Sequence, residues 1–488
     1  MSMKKKAIQG VFWSVIQNWG SQTGSLLVFL ILARLLQPKD FGLVALSNLF
    51  ITFINIFLTQ GFSQALIQRQ KLDQEHLDTA FWTQVAIGFL LTTTSFITAG
   101  WVANLFQEPQ LIPLIRCLSM MFFLNAFSQV QIALLKRKFA FKTLATRALF
   151  GIFMGGFVGV VMAIAGFGVW SLVAQELVYQ GVGIIVLWRA SDWQPRFRVS
   201  SPHFEELFHF GVHVLGFQLV NFFNQRTDTL LIGYFLGAKT LGYYAIAQRI
   251  LEVMTQLLVG TSNQVALSTF SRLQTDLNRL REAFYQVTQL TSLIAFPTFL
   301  GMITLTPELV ILLFGKQWLP SIPIMQILAL AGLLRSVSFF NESVFIAMGK
   351  PAWKFRLGLL NAILNVIACL VAVRWGLMAI AVAYVISDYL VFPISQWAVS
   401  QLIQTPILTY LRQLIVPLVC ALIMVVVILA VKYLLRDLLN SQASLVSCTV
   451  MGAIAYGLTI RWLAPKLWQQ SLELVALAIS PNKSQNIP

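Results

Sequence analysis

Apolar residues run for about twenty positions at a time along most of this chain before a charged or turn-forming cluster interrupts them, enough for a helix to cross a hydrocarbon core. Read this way, the pattern predicts about fourteen spans. They lie near 11–36, 41–66, 80–105, 111–135, 143–165, 167–188, 207–236, 241–268, 286–315, 321–348, 355–374, 376–403, 411–432 and 441–463. The expected fold is all-α and polytopic. Some spans are not apolar all round. Span one carries Ser14, Asn18, Ser21 and Ser25, span two Asn48, Thr52, Asn55 and Thr59, and span seven Gln218, Asn221, Gln225 and Asp228. Steps of three and four put each set on one helical face. Any one such residue is explained by an interhelical hydrogen bond. Repeated on several spans, the faces suggest helices lining water, with Asn18, Asn221 and Gln225 as cavity residues.

The pattern is also written twice. At a constant offset of 200, Leu36, Lys39, Gly42 and Ala45 fall on Leu236, Lys239, Gly242 and Ala245. Further along, the offset drifts but the order holds, with Pro113 matching Pro323, Phe141 matching Phe355 and Gly168 matching Gly376. A self-match at long period marks two equivalent halves. Six spans per half start the second half on the same side as the first, so the repeat is parallel. Expected domains are 1–200 (spans one to six), 201–404 (spans seven to twelve) and 405–488 (two accessory spans and a tail). Gly20 and Gly24, and Gly155 and Gly159, are small-xxx-small pairs for close helix packing, and Pro297, Pro393 and Pro417 are expected to kink their spans.

Composition agrees: 57% of residues are hydrophobic and 11% charged, outside the soluble range. The net charge of +16 suggests nucleic acid until its placement is considered. With the N-terminus inside, about 23 of the 34 Lys and Arg fall on the inner side and about 8 on the outer, as the positive-inside rule requires. The basicity is topology, both termini are placed in the cytoplasm, and no nucleic acid is expected. Cys117, Cys369, Cys420 and Cys448 lie in apolar spans without metal spacing, and His209 with His213 lacks further ligands, so no metal is expected.

Charges inside spans cost at least a few kcal/mol and normally have a partner or a task. Around Lys239, Asp228 and Arg249 stand eleven and ten residues away, and Arg226 and Glu252 thirteen each. Equal distance from a hairpin turn means equal depth, so Asp228–Arg249 and Arg226–Glu252 pairs are expected. Structural neutralisation and ligand binding both remain open for them. Arg335, Asp388 and Glu176 are further intramembrane candidates, the two carboxylates as charge-pair or proton-coupling groups. No Walker loop, GxSxG, HExxH or large external loop is present, so no enzyme is expected.

Several stretches together carry a family resemblance. LARLLQPKDFGLVAL (32–46), GFSQALIQRQKL (61–72), GFGVWSLV (166–173), DTLLIGYFLGAKTLGYYAIAQR (228–249), FSRLQTD (270–276) and LFGKQWLPSIPIMQILAL (313–330) occur in the order found in Wzx-type polysaccharide flippases. These belong to the multidrug/oligosaccharidyl-lipid/polysaccharide exporter superfamily. Ser268 departs from the pattern, where proline is expected. The resemblance implies two six-helix lobes around a cavity, alternating access, and movement of undecaprenyl-pyrophosphate-linked oligosaccharide from the inner to the outer leaflet of a bacterial plasma membrane. It makes Arg226, Arg249 and Arg335 candidates for the anionic head group. No cofactor is expected, with proton or sodium coupling left open. Candidate partners are the lipid-linked oligosaccharide, the membrane, and the polymerase and chain-length proteins of the same pathway. A cavity formed within one chain predicts a monomer. The alternatives are an ion-coupled multidrug antiporter on the same fold, a peptidoglycan-precursor flippase, and a polymerase, which the short external turns disfavour.

Overall fold

The computed structural model describes residues 3–58, 66, 73–198, 201–435 and 441–469, and among them the ordered elements are helices. In chain order they are α1 (Met3–Leu35), α2 (Pro38–Leu58), α3 (Gln74–Phe106), α4 (Leu111–Arg137), α5 (Phe141–Ile164), α6 (Trp170–Ala190) and α7 (Ser201–Leu273). The second half continues with α8 (Leu277–Leu313), α9 (Ser321–Ser338), α10 (Asn341–Ala347), α11 (Pro351–Ala372), α12 (Leu377–Ile403), α13 (Ile407–Leu434) and α14 (Ser441–Leu463). Every expected span falls on a helix wherever its residues are described. Twelve segments among the described residues are long and apolar enough to cross a membrane. The side chains of His209 and His213 lie outside the described residues.

Contacts divide the chain into two units: Met1–Ile246 with Ala362–Ile380, and Ala247–Asn361 with Ala381–Pro488. Within the first, α7 is two helical arms joined at Gly237, whose φ of 80° and ψ of 170° break the helix and supply the tight turn. That turn meets its own copy. A Cβ on Gly42 would lie 1.7 Å from the Ala238 carbonyl oxygen, and one on Gly242 would lie 1.8 Å from that of Pro38. Residues 38 and 238 are themselves related by the offset of 200, so the contact is reciprocal. Only glycine permits backbone to pack on backbone this closely, with Cα–H groups facing carbonyl oxygens.

The same economy packs α5. Gly20 and Gly24 of α1 lie against Leu149 and Ile152, while Gly155 of α5 approaches the Gln175 carbonyl of α6, where a Cβ would be only 2.5 Å away. The segment 192–198 is fastened to α3. Trp82 stacks on Phe197 at 4.2 Å and donates from Nε1 to the Arg196 carbonyl at 2.9 Å, while the Arg196 amide donates to Asp78 at 3.1 Å.

The second unit shows how a membrane helix tolerates proline. α8 runs unbroken through Pro297 and Pro307. Each proline lacks an N–H and frees the carbonyl four residues earlier, and in lipid such a group needs another donor. The Tyr456 hydroxyl donates to Leu293 at 2.6 Å, and Gln326 Nε2 donates to Ile303 at 2.9 Å. Expected span ten is split into α9 and α10 at Phe339–Phe340, and Tyr410 of α13 donates to the Val337 carbonyl there at 3.0 Å. Lys432 of α13 pairs with Glu308 of α8 at 2.7 Å. The accessory helices α13 and α14 thus supply donors that the second half's own helices need.

Candidate functional site

Two polar clusters stand at membrane depth. In the first unit, Asp228 is fully buried. Its Oδ2 accepts from the Tyr244 hydroxyl at 2.5 Å and its Oδ1 from the Thr229 amide at 2.7 Å. These donors satisfy a carboxyl group that has no access to bulk water. Beside it, Asn365 of α11 donates to the Asn224 carbonyl at 3.2 Å and accepts from the Cys369 thiol at 3.2 Å. Asn221 and Arg226 on the same arm of α7 are half-buried, and Gln225 is exposed, as is Asn18 on α1. Arg249 and Glu252 are half-buried on the other arm and belong to the second unit. Tyr244 is a partner of Asp228 that hairpin depth alone did not point to.

In the second unit the structure brings together two candidates 53 residues apart. Arg335 of α9 donates from Nε to Asp388 Oδ2 of α12 at 3.0 Å. The same guanidinium donates to the Tyr384 hydroxyl and lies over that ring, 5.0 Å from its centroid. Asn361 of α11 donates to the other Asp388 oxygen at 3.3 Å. Tyr384 and Asp388 are one turn apart on α12, which is why both reach one arginine. Just past the break, Asn341 donates to Ser395 and Gln396 of α12, at 3.1 and 3.3 Å. Arg335 therefore has its counter-ion inside the protein. It is a held charge pair, not a bare cation.

Glu176 is half-buried on α6. Among the described residues no group of three or more His, Cys, Asp and Glu is placed to hold a metal ion. One intramembrane charge escaped the sequence reading. Arg147 counted with the inner loop, yet it is half-buried inside α5, its guanidinium over Gly183 of α6. The repeat could have shown it: Arg147 lies six residues after Phe141, as Asn361 lies six after Phe355.

The succinoglycan biosynthesis transport protein ExoT of Rhizobium meliloti is 27% identical over 96% of this chain and 96% of its own. The teichuronic acid biosynthesis protein TuaB of Bacillus subtilis is 26% identical over 85% of this chain and 87% of its own. Among solved structures, lipid II flippase MurJ in an inward closed conformation superposes with a TM-score of 0.78 at 13% identity. The superposition covers 94% of this chain and 99% of MurJ, and shows a shared fold. The model of a family described as polysaccharide biosynthesis protein matches residues 31–323, more than half the length, so this multi-pass membrane chain belongs to that polysaccharide biosynthesis family.

Proposed function

We propose that the chain is a flippase that carries undecaprenyl-pyrophosphate-linked oligosaccharide units from the inner to the outer leaflet of a bacterial plasma membrane. The observation that carries this proposal is membership of a polysaccharide biosynthesis family by a chain made almost wholly of membrane helices. A pyrophosphate with several sugars cannot enter hydrocarbon unassisted, because burying so many polar groups costs tens of kcal/mol. Polar residues along the transport path replace their hydration while the lipid tail stays in the bilayer. An inside-negative potential favours outward movement of an anion by about 2.3 kcal/mol per charge per 100 mV, so no nucleotide and no catalysed bond change is needed.

In this scheme residues 1–200 and 201–404 act as two lobes, and both termini stay in the cytoplasm. Asn18, Asn221, Gln225, Arg226 and Arg249 contact the head group. Asp228, held by Tyr244, and the Arg335–Asp388 pair hold charge within the helices, and Glu176 is a further coupling group. Protonation of Asp388 would release Arg335, which makes that pair the group on which ion coupling acts. The pathway's polymerase and chain-length proteins would receive the product from a monomeric transporter. A second proposal, an ion-coupled antiporter, is favoured by the fully buried Asp228 with its donors.

Reconstitution of the protein with a defined lipid-linked oligosaccharide and a leaflet-specific probe decides between them. Transbilayer movement of the oligosaccharide lipid is expected. Drug efflux against a proton or sodium gradient, with no movement of the lipid, would replace the flippase by the antiporter.

A further inference from the structure

The repeat places polar residues at matching positions in the two halves, and their identities are exchanged. In the second half Arg335, Asn361, Tyr384 and Asp388 touch one another. Counted from the anchors Pro113/Pro323, Phe141/Phe355 and Gly168/Gly376, the same places in the first half hold Asn125, Arg147, Glu176 and Gln180. The arginine thus moves to the place of Asn361 and the carboxylate to the place of Tyr384, while a neutral amide, Gln180, stands where Asp388 holds Arg335.

The geometry around Arg147 follows from that exchange. Among the described residues no ion pair is formed by Arg147. The titratable group acting on it is the Tyr179 phenol. Its guanidinium lies over Gly183, where a Cβ would come within 2.9 Å of Nε, so α6 leaves it room only by lacking a side chain. Gln131 on α4 and Arg147 on α5 are each eight residues from Phe139 in the intervening turn, hence at one depth. Gln131 is fully buried with both carboxamide atoms unpartnered, and Gln180 Oε1 is buried and unpartnered as well. Arg147 lies six residues from the start of α5, about 9 Å along its axis. A half-buried guanidinium at that depth calls for an anion with acceptor oxygens, and its fork matches phosphate.

We infer that Arg147, lying over Gly183, is a binding site for the phosphate of a membrane lipid. The site rests on the flippase proposal only in that the lipid carrier of the oligosaccharide is one source of such a phosphate. An ordinary inner-leaflet phospholipid is the other.

Full-length protein is titrated with undecaprenyl phosphate and, separately, with phosphatidylglycerol, and bound lipid is counted by native mass spectrometry. Arg147→Gln is expected to weaken undecaprenyl phosphate at least tenfold, and Arg147→Lys, which keeps charge but loses the fork, two- to fivefold. Loss confined to undecaprenyl phosphate assigns the site to the carrier; parallel loss of phosphatidylglycerol assigns it to phospholipids in general. Gly183→Ala, which keeps the arginine but displaces it, is expected to weaken the same lipid and serves if Arg147→Gln does not fold. Unchanged binding of both lipids to the folded variants overturns the site. A wild-type protein that binds these lipids through Arg147 yet moves no oligosaccharide lipid would remove the flippase proposal and leave the site standing. Normal lipid binding and transport by Arg147→Gln would do the reverse.

Discussion

Arg335 illustrates what a charge inside a membrane helix needs. It is satisfied by Asp388 and Tyr384, while Asn361 holds the carboxylate from the other side. Removing one member strands the other in a poorly solvated place, which costs several kcal/mol for buried pairs. Removing both leaves nothing stranded. Arg335→Ala or Asp388→Ala alone is therefore expected to lower stability more than the double variant, measured by thermal unfolding in detergent, whereas additive effects would show that the pair is not coupled. Tyr456 presents the same bookkeeping with a neutral group. Its hydroxyl serves the Leu293 carbonyl that Pro297 frees. Tyr456→Phe should cost about 1–3 kcal/mol, the penalty for an unsatisfied buried acceptor. In a Pro297→Ala background, where the helix can supply its own N–H, that cost should fall.

At the scale of elements, the duplicated turn is the contact with least tolerance. Ala238 and Pro38 offer carbonyl oxygens to Gly42 and Gly242, so any side chain at either glycine collides with backbone, which cannot rotate away. Gly42→Ala and Gly242→Ala are each expected to destabilise by about 1–3 kcal/mol, read by thermal unfolding. Because the contact is reciprocal, the two effects should be alike, and a large difference between them would count against a two-fold arrangement of the turns. The joining segment gives a second test. Trp82 both stacks on Phe197 and donates to the Arg196 carbonyl. Trp82→Ala should therefore make residues 192–198 cleavable by protease in detergent-solubilised protein, while Trp82→Phe, which keeps the stack, should protect them in part.

For the whole molecule, the expected direction of transport is set by potential. A pyrophosphate-bearing cargo crossing the full field should move more slowly when a 100 mV potential is abolished in sealed proteoliposomes, by at most about 50-fold per charge. Independence of potential would mean that the cargo's charge is compensated on the way, for which Arg147, Arg226 and Arg249 are the candidates.

The membrane-spanning character, the all-helical class and the paired turns were legible in the residues because they rest on chain-local quantities: hydropathy over twenty positions, and an offset of 200 between Gly42 and Gly242. The glycine and proline positions marked close approach and freed carbonyls for the same reason. What answers those marks is set only by folding, since partners such as Tyr456 for Leu293, 163 residues away, meet through packing and not through spacing. Depth arguments singled out Asp228 but not Tyr244, because depth constrains distance from a turn and leaves the facing direction free. Likewise Arg335 and Asp388 read separately as a cation and a carboxylate, and only tertiary structure made them one neutral pair while leaving Arg147 without a carboxylate among the described residues.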